Sequence, residues 1–157
     1  MLIAAAILIL DQVVKVVVRS RLDLYESVSV IPGVLSLTRV HNTGAAFGLM
    51  NAMDFPYKTL IVALIATAAL SGLALYAATL DPLQRLSRLG LAFIIGGAAG
   101  NLIDRLAYGY VLDFVDAYYG GWHFWAFNVA DAAITFGVAL MILDILGVGR
   151  HRVSRAV

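Results

Sequence analysis

Two aspartates in apolar surroundings are the residues of this chain best suited to carry chemistry. Asp113 is flanked by Val-Leu and Phe-Val, and Asp131 lies in the apolar run 127–134. Neither has a cation beside it in the sequence. Two carboxyls brought together in an apolar site share one proton, so that one acts as base and the other as acid near neutral pH. Such a pair can activate water for peptide hydrolysis, although two acids in a membrane protein can equally form a proton or ion relay.

Other polar residues interrupt or flank the same kind of apolar sequence. Asp11 and Lys15 are four residues apart with the acid first, which favours a helix ion pair, and we favour a structural role for them. Asp104 and Arg105 could form an interfacial ion pair with lipid headgroups. Asp144 falls near the end of the last apolar stretch, where we expect interfacial solvation and assign it no role. The remaining residues of this kind are Asn42, Asn101 and Asn128.

Several other chemistries lack their sequence patterns. The chain has no G-x-S-x-G, no H-E-x-x-H, no phosphate-binding P-loop and no cysteine. Its three histidines, at positions 41, 123 and 151, are scattered. We therefore expect no metal and no cofactor. A net charge of +1 gives no indication of a nucleic-acid partner.

The composition indicates the environment in which these residues must be positioned. Hydrophobic residues make up 62% of the 157-residue chain and charged residues 13%, with a mean hydropathy of +0.90. Soluble domains average roughly 45–50% apolar and about 25% charged residues. These values exclude an ordinary soluble globule and a disordered chain. The length predicts one domain, residues 1–157, in a small multi-spanning membrane protein.

The hydropathy pattern predicts an all-α integral membrane protein with four transmembrane helices. Residues 60–80 carry no charge and are long enough to cross a hydrocarbon core of about 30 Å. Three other apolar stretches hold the polar residues described above. The predicted helices span about 1–20, 57–79, 88–107 and 127–148. Only ten residues precede Asp11, so we expect either that the first helix extends past Ser20 or that the natural chain starts upstream.

The connecting segments differ in character. Residues 27–30 and 35–38 alternate at period two around Pro32-Gly33, which predicts a small extramembrane β-hairpin or sheet between helices 1 and 2, in the region of about 26–50. Residues 108–126 are rich in aromatics and are interpreted as a loop that anchors at the membrane surface. Glycines and alanines at 96–100 predict close helix packing.

Four spans place both termini on one side of the membrane. The arginine-rich C-terminal tail favours the cytoplasmic side for them, and Arg19 is counted only as one of the basic residues on the opposite side. Apart from Asp144, the polar residues described above then fall in the opposite leaflet, on or next to helices 1, 3 and 4; these nine include Asp113 and Asp131. This predicts a site near the outer surface. A proton- or ion-coupled transporter, the alternative function, would distribute its polar groups through the membrane depth.

Four ordered motifs also resemble a known family, the bacterial lipoprotein signal peptidases (signal peptidase II), which are membrane aspartyl proteases. The match runs from Asp11 to about Ile134. The motifs are Asp11-Gln12 with Lys15; Asn42-Thr43-Gly44-Ala45-Ala46-Phe47; Gly96-Gly97-Ala98-Ala99-Gly100-Asn101 followed by Asp104-Arg105, Gly109, Val111 and Asp113-Phe114; and Phe127-Asn128-Val129-Ala130-Asp131 with Ile134.

The resemblance implies a reaction and a role for each matched residue. The substrate would be a prolipoprotein whose cysteine carries a diacylglyceryl group, cut at the amide bond before that cysteine. Asp113 and Asp131 would form the catalytic dyad, and Ala130 would pack beside it. The residues expected to line or order the site are Asn42, Gly44, Asn101, Arg105 and Asn128. Those expected to support it from the helices are Asp11, Lys15 and Asp104.

The resemblance also implies a location and a set of partners. The protein would be a multi-pass protein of the bacterial cytoplasmic (inner) membrane, with cytoplasmic termini and its active site near the outer leaflet. Its partners would be the diacylglyceryl-prolipoprotein and membrane lipids, with no nucleic acid, metal or cofactor, and we expect a monomer. The hairpin would cradle the substrate, and the cyclic peptide globomycin would bind. Independently of the resemblance, we hypothesise that segment 108–126 closes over the substrate and excludes bulk water.

Overall fold

The computed structural model describes residues 2–44 and 56–147 as a mostly helical protein with a small antiparallel sheet. The predicted β region beyond residue 44 lies outside the described residues. The elements, in chain order, are α1 (Leu2–Arg21), β1 (Ser27–Ile31), β2 (Leu35–Asn42), α2 (Lys58–Thr79), α3 (Arg85–Tyr108), β3 (Val111–Tyr119), β4 (Trp122–His123) and α4 (Val129–Ile145).

Helix α3 is the central helix and packs against α1, α2 and α4. Its glycines allow the close approach that the small-residue stretch predicted. A Cβ added at Gly100 would lie 2.5 Å from the Asp11 carboxylate, and one added at Gly97 would overlap the backbone carbonyl of Ala130. The same contacts bring the polar residues of three helices together, because Asp11 and Ala130 both face the glycine surface of α3.

The sheet has the strand order β1-β2-β3-β4, with antiparallel neighbours. The predicted hairpin is present as β1 and β2, and Gly33 in its turn has a φ of +80°. The interpretation of 108–126 as a loop was wrong, because most of this segment forms β3 and β4. Residues Val111 to Phe114 of β3 are all buried, so the strand lacks the alternation by which half-buried strands are recognised.

The helix ends differ modestly from the predicted ones. Helix α4 begins at Val129 because Asn128 is its N-cap, and it ends at Ile145 rather than at 148. Helix α3 begins at Arg85, three residues before the predicted start. Helix α1 passes Ser20 by a single residue. Asp144 is buried and accepts a hydrogen bond from Ser87, so its expected interfacial solvation was wrong.

Among the described residues, α2 and α3 are long and apolar enough to cross a membrane. Helix α1 carries Asp11, Lys15 and Arg19 within its 20 residues, and α4 is 17 residues long. Both nevertheless expose large apolar side chains, among them Ile9 and Val13 of α1 and Phe136 and Ile142 of α4. The outer faces of these two helices are therefore largely hydrophobic, while Asp11, Lys15 and Asp144 are buried.

Candidate active site

Two backbone features bring Asp113 beside the start of α4. Gly109 ends α3 with a φ of +78°, and its N–H donates to the Arg105 carbonyl at 3.0 Å, so the chain turns directly into β3. Further along β3, Val115 exchanges backbone hydrogen bonds with Phe127, at 2.8 and 3.1 Å. Phe127 immediately precedes the N-cap of α4. The first turn of α4 is thereby fixed against the strand that carries Asp113.

The Asp113 carboxyl is held by two side-chain amides. Nδ2 of Asn42 donates to Oδ2 at 3.0 Å, and Nδ2 of Asn128 donates to Oδ1 at 2.7 Å. Asn42 reaches it because Val40 of β2 pairs with Asp113 in the sheet register. The residue is only 3% exposed. Both carboxyl oxygens are therefore oriented by neutral donors in a nearly water-free position.

Asp131 is held in a similar way from the first turn of α4. Nδ2 of Asn101 donates to its Oδ1 at 2.8 Å, and the backbone N–H of Asn128 donates to its Oδ2 at 3.2 Å. Oδ1 of Asn128 accepts from the Asp131 N–H at 3.0 Å, which completes a capping box. Since Asn128 binds both carboxyls, it links Asp113 to Asp131 directly.

The surroundings of Asp113 change its acidity. Burial raises the pKa of Asp113 from its ordinary value of 3.8 to about 7, and the negative charge of Asp131 acts in the same direction. The hydrogen bonds from Asn42 and Asn128 oppose this rise, because they stabilise the charged form. At neutral pH the Asp113 carboxyl is therefore poised to gain or lose a proton, as a catalytic acid or base must.

A second cluster of charged groups lies behind the two carboxyls. Nζ of Lys15 is 2.9 Å from Oδ2 of Asp11 and 3.1 Å from Oδ2 of Asp104, and all three side chains are fully buried. The same Nζ donates to Oδ1 of Asn101 at 3.0 Å. The side-chain carbonyl of Asn101 thus contacts the Lys15 cation, and its amide contacts Asp131. The predicted Asp11–Lys15 pair is present, and Asp104 joins it.

The remaining predicted site residues belong to the same network. Nη2 of Arg105 donates to the Gly44 carbonyl at 2.9 Å and its Nη1 to the Asn101 carbonyl at 3.3 Å. The N–H of Gly44 donates to Oδ1 of Asn42 at 3.0 Å. Ala130 is fully buried and donates its backbone N–H to Asp11 at 3.0 Å. The structure therefore brings together all eleven residues singled out from the sequence.

Sequence reasoning missed Arg19, which was counted only as a charge for membrane topology. Its Nη2 is 2.9 Å from Oδ1 of Asp104, and its guanidinium lies over the Tyr108 ring at 3.9 Å. The spacing of Asp11, Lys15 and Arg19 at four-residue intervals was the available signal, because it places all three on one helix face. The two histidines within the described residues stay outside the dyad: His41 stacks on Tyr110, and His123 pairs with an acid of β3.

A cavity of about 900 Å³ opens in front of the two carboxyls. Its polar lining comes mainly from Asn42, Asn101, Arg105, Asp113 and Asp131. Most of the other lining is apolar and comes from α2, α3, α4 and the aromatic segment, including Leu70, Leu73, Ala98, Phe124, Trp125, Ile134, Phe136 and Ala139. The cavity thus joins one acidic, hydrogen-bonding end to a long hydrophobic wall. Within the described residues, no three side chains of the metal-binding types converge on a possible ion site.

Comparisons with known proteins agree with this geometry. A family model described as signal peptidase (SPase) II matches residues 3–147. A lipoprotein signal peptidase of Maridesulfovibrio salexigens is 42% identical over 143 residues, which cover 91% of this chain and 92% of that protein. One from Geobacter sulfurreducens is 43% identical over 145 residues, covering 92% of this chain and 89% of that protein.

Two solved structures also share the fold. Each is described as a bacterial membrane enzyme determined by the in meso method, one at 1.9 Å and one at 2.3 Å resolution. The first has a TM-score of 0.80 and 29% identity, covering 92% of this chain and 90% of its own. The second has a TM-score of 0.75 and 31% identity, covering 99% and 92%. The chain therefore belongs to the signal peptidase II family.

Proposed function

We propose that this protein is an aspartic endopeptidase of the membrane that removes the signal peptide from diacylglyceryl-modified prolipoproteins. The observation that carries the proposal is the pairing of Asp113 with Asp131 at the polar end of an otherwise apolar cavity. The family is one of proteases, and the relatives are lipoprotein signal peptidases. The proposed cut is at the amide bond immediately before the lipidated cysteine.

In the proposed reaction the two carboxyls share one proton. The ionised carboxyl takes a proton from water while the water oxygen bonds to the scissile carbonyl carbon, and the protonated carboxyl donates to the carbonyl oxygen. The resulting tetrahedral diol collapses: the C–N bond breaks as the protonated carboxyl donates to the amine nitrogen, and the other carboxyl takes the proton of one diol hydroxyl, whose oxygen becomes the carbonyl of the new carboxyl terminus of the signal peptide. The dyad then again holds one proton.

The surrounding residues would orient the dyad and the substrate. Asn42, Asn101 and Asn128 fix carboxyl oxygens at 2.7–3.0 Å. Arg105 and Gly44 lie at the polar end, where we propose that they contact the substrate backbone. The salt-bridged residues Asp11, Lys15 and Asp104 would support the network from the helices, and Ala130 would pack against it. The chemistry requires neither a metal nor a cofactor.

The shape of the cavity suits an amphiphilic substrate. Diacylglyceryl chains could lie along the apolar wall formed by α2 and α4 while the scissile amide reaches the carboxyls. A hydrophilic peptide alone would gain little from contact with a hydrophobic wall of this extent, so the wall supports a lipidated substrate. A transporter of protons or ions is supported less well, since the polar lining of the cavity is concentrated at the dyad end.

We further propose that all four helices cross the cytoplasmic membrane of a bacterium, that residues 1–157 form one monomeric domain with cytoplasmic termini, and that the dyad lies near the outer leaflet. The apolar outer faces of α1 and α4 support four spans. Because the chain contains no cysteine, single cysteines can test this. A membrane-impermeant thiol reagent should label Ser29→Cys in intact cells, and Asp81→Cys only after permeabilisation. The reverse pattern would contradict the proposed topology.

The aromatic segment would retain part of its predicted covering role. Phe124 and Trp125 line the cavity, next to a β3–β4 turn in which Gly120 and Gly121 both have positive φ. We propose that this hairpin, rather than the whole of 108–126, closes over bound substrate and excludes water. A thiol crosslink between Val34→Cys and Tyr119→Cys should stop turnover, and unchanged turnover would contradict the closure.

The experiment that tests the proposed function is a gel-shift cleavage assay with purified protein in detergent. The substrates are a diacylglyceryl-modified prolipoprotein and its unmodified precursor, and mass spectrometry identifies the cleaved bond. We expect cleavage of the lipidated form alone, directly before the cysteine, and loss of cleavage in Asp113→Asn and Asp131→Asn. Asp23→Asn, which changes the same chemical group at an exposed position between α1 and β1, is the matched control. A folded wild type that cleaves neither substrate would overturn the proposal.

A further inference from the structure

Arg19, near the end of α1, is a buried cation that the reaction described above does not use. Its side chain is 14% exposed, and its Nη2 is 2.9 Å from Oδ1 of Asp104. The guanidinium carbon lies 3.9 Å from the centroid of the Tyr108 ring. Its Nε and Nη1 are buried and have no hydrogen-bond partner among the described residues, as expected for a guanidinium covered by an aromatic ring. The arginine is thus fixed between one carboxylate and one ring.

The carboxylate that Arg19 contacts reaches the backbone next to the dyad. Oδ2 of Asp104 accepts the Leu112 N–H at 3.0 Å. Leu112 is fully buried and directly precedes Asp113. The Leu112 carbonyl in turn accepts from Nδ2 of Asn128 at 3.2 Å, the same amide that binds Asp113. Asp104 therefore fixes β3 at the residue before the candidate catalytic carboxyl.

The two oxygens of Asp104 have different partners. Oδ2 has Lys15 at 3.1 Å as well as Leu112, whereas Oδ1 has Arg19 at 2.9 Å and a longer contact from Gln12 at 3.5 Å. Without Arg19, the weak Gln12 contact would be the one remaining contact of Oδ1 within the described part of the chain. The carboxylate would then be held mainly through Oδ2, and the orientation of its bond to Leu112 would be less firmly set.

We propose that Arg19 is a positioning residue for this site: by holding Asp104 it fixes the backbone of β3 at Leu112 and so the orientation of the Asp113 carboxyl. The inference rests on the proposed proteolytic function. Arg19 does not reach the cavity lining, so it acts on the rate of the chemical step and not on substrate binding. Its loss should therefore lower kcat and leave KM nearly unchanged.

The test compares Arg19→Gln and Arg19→Lys with Arg21→Gln in the cleavage assay. Arg21 ends the same helix and is exposed, which makes it the matched control. We expect Arg19→Gln to lower kcat about 10- to 100-fold with KM within about twofold of wild type, because small displacements of a reacting group have effects of this size. Arg19→Lys should recover part of the loss, since it keeps the charge but not the planar stack.

A double-mutant cycle tests whether Arg19 acts through Asp104. If it does, Arg19→Gln combined with Asp104→Asn should be no slower than Asp104→Asn alone. If the losses in kcat of the two single variants multiplied in the double variant, the proposal would be overturned. A raised KM with unchanged kcat in Arg19→Gln would also overturn it. Active enzyme is counted in each preparation from the cleavage burst or by single turnover, so that a purely structural defect appears as fewer active molecules and not as a lower kcat. That outcome would also contradict the positioning role.

A second pair of variants keeps the inference testable if Arg19→Gln does not fold. Tyr108→Leu removes the ring under the guanidinium and leaves every charge in place, whereas Tyr108→Phe keeps the ring. We expect Tyr108→Leu to lower kcat more than Tyr108→Phe does, and equal effects would overturn the proposal. A wild type that does not cleave prolipoprotein contradicts the proposed function itself. A cleaving wild type matched by Arg19→Gln contradicts only the role of Arg19.

Discussion

Two buried clusters of carboxylates lie side by side in this protein and are treated in opposite ways. In the compensated cluster (Asp11, Lys15, Arg19 and Asp104), the two acids meet two cations at 2.9–3.1 Å. In the dyad (Asp113 and Asp131), the described partners of the carboxyls are amide groups of Asn42, Asn101 and Asn128 and one backbone N–H. Both clusters have two acids, but only one has its charge cancelled.

The difference teaches how one fold can use the same residue type for structure and for reactivity. An ion pair fixes both the position and the ionisation of a carboxylate, because a neighbouring cation strongly favours the deprotonated form of the carboxyl. Amide donors fix position while leaving the protonation state open to change. Asn101 joins the two clusters, with its carbonyl on Lys15 and its amide on Asp131. The cation thereby determines which way this amide points without neutralising the dyad.

The largest expected effect is on activity, in the dyad. Asp113→Asn and Asp131→Asn should each lower kcat by about 10²- to 10⁴-fold, the range for a lost acid or base. Because the two carboxyls act as one unit, the double variant should be little slower than either single variant. Steady-state kinetics on the three variants check this. If the losses in kcat of the two single variants multiplied in the double variant, the two carboxyls would act independently. The dyad would then not differ from the compensated cluster by acting as one catalytic unit.

The next largest effect is on stability, in the compensated cluster. Lys15→Met leaves Asp11 and Asp104 buried beside each other with less positive charge, and we expect about 3–5 kcal/mol lost from the free energy of unfolding. Denaturant unfolding in detergent measures it. Adding Asp104→Asn should recover part of the loss, because it removes one uncompensated charge. A loss below about 1 kcal/mol would show that the cations are not needed to keep these acids buried.

The convergence of the site residues was predictable from the sequence, in part from local signals and in part from the motifs shared with a known family. Charged residues in apolar stretches are costly, so Asp11, Lys15, Asp104 and Asp131 each required a partner, and the helix order placed them at one end. The β1–β2 hairpin was predictable from period-two alternation around Gly33. The chemical roles of these residues remain predictions, because proximity in the fold does not itself demonstrate catalysis.

The features that were not predictable depend on tertiary packing. Strand β3 is buried on both faces from Val111 to Phe114, which removes the alternation that identifies a strand in a sequence. Asp144 was expected to meet water at a helix end, yet it packs against Ser87 in the α3–α4 contact. Arg19 was taken for a topology charge, because nothing local shows that Asp104, 85 residues away, lies beside it.

A smaller effect concerns the pH dependence of stability. Asp113 titrates near pH 7 in the folded protein and near 3.9 when unfolded. Between these values the folded form binds more protons, so the free energy of unfolding falls as the pH rises through this window. From pH 5 to pH 8 the Asp113 contribution should be a loss of about 2–3 kcal/mol. Asp113→Asn should lack this component of the pH dependence. If the free energy of unfolding changed with pH by the same amount in wild type and variant, the raised pKa would be contradicted.

The smallest expected effect isolates a single amide of the dyad. Asn42→Ala removes the 3.0 Å hydrogen bond to Oδ2 of Asp113, which favours the charged carboxylate. The pKa of Asp113 should then rise further above 7, and the alkaline limb of the kcat/KM profile, where the dyad loses its shared proton, should move up by about one pH unit or less. Thr38→Val, on the same strand but bonded to the Glu26 carbonyl, should leave the limb in place. A shift of the limb to lower pH would mean that the Asn42 hydrogen bond favours the protonated carboxyl. The amide donors of the dyad would then act on the acidity of a carboxyl in the opposite direction to the cations of the compensated cluster.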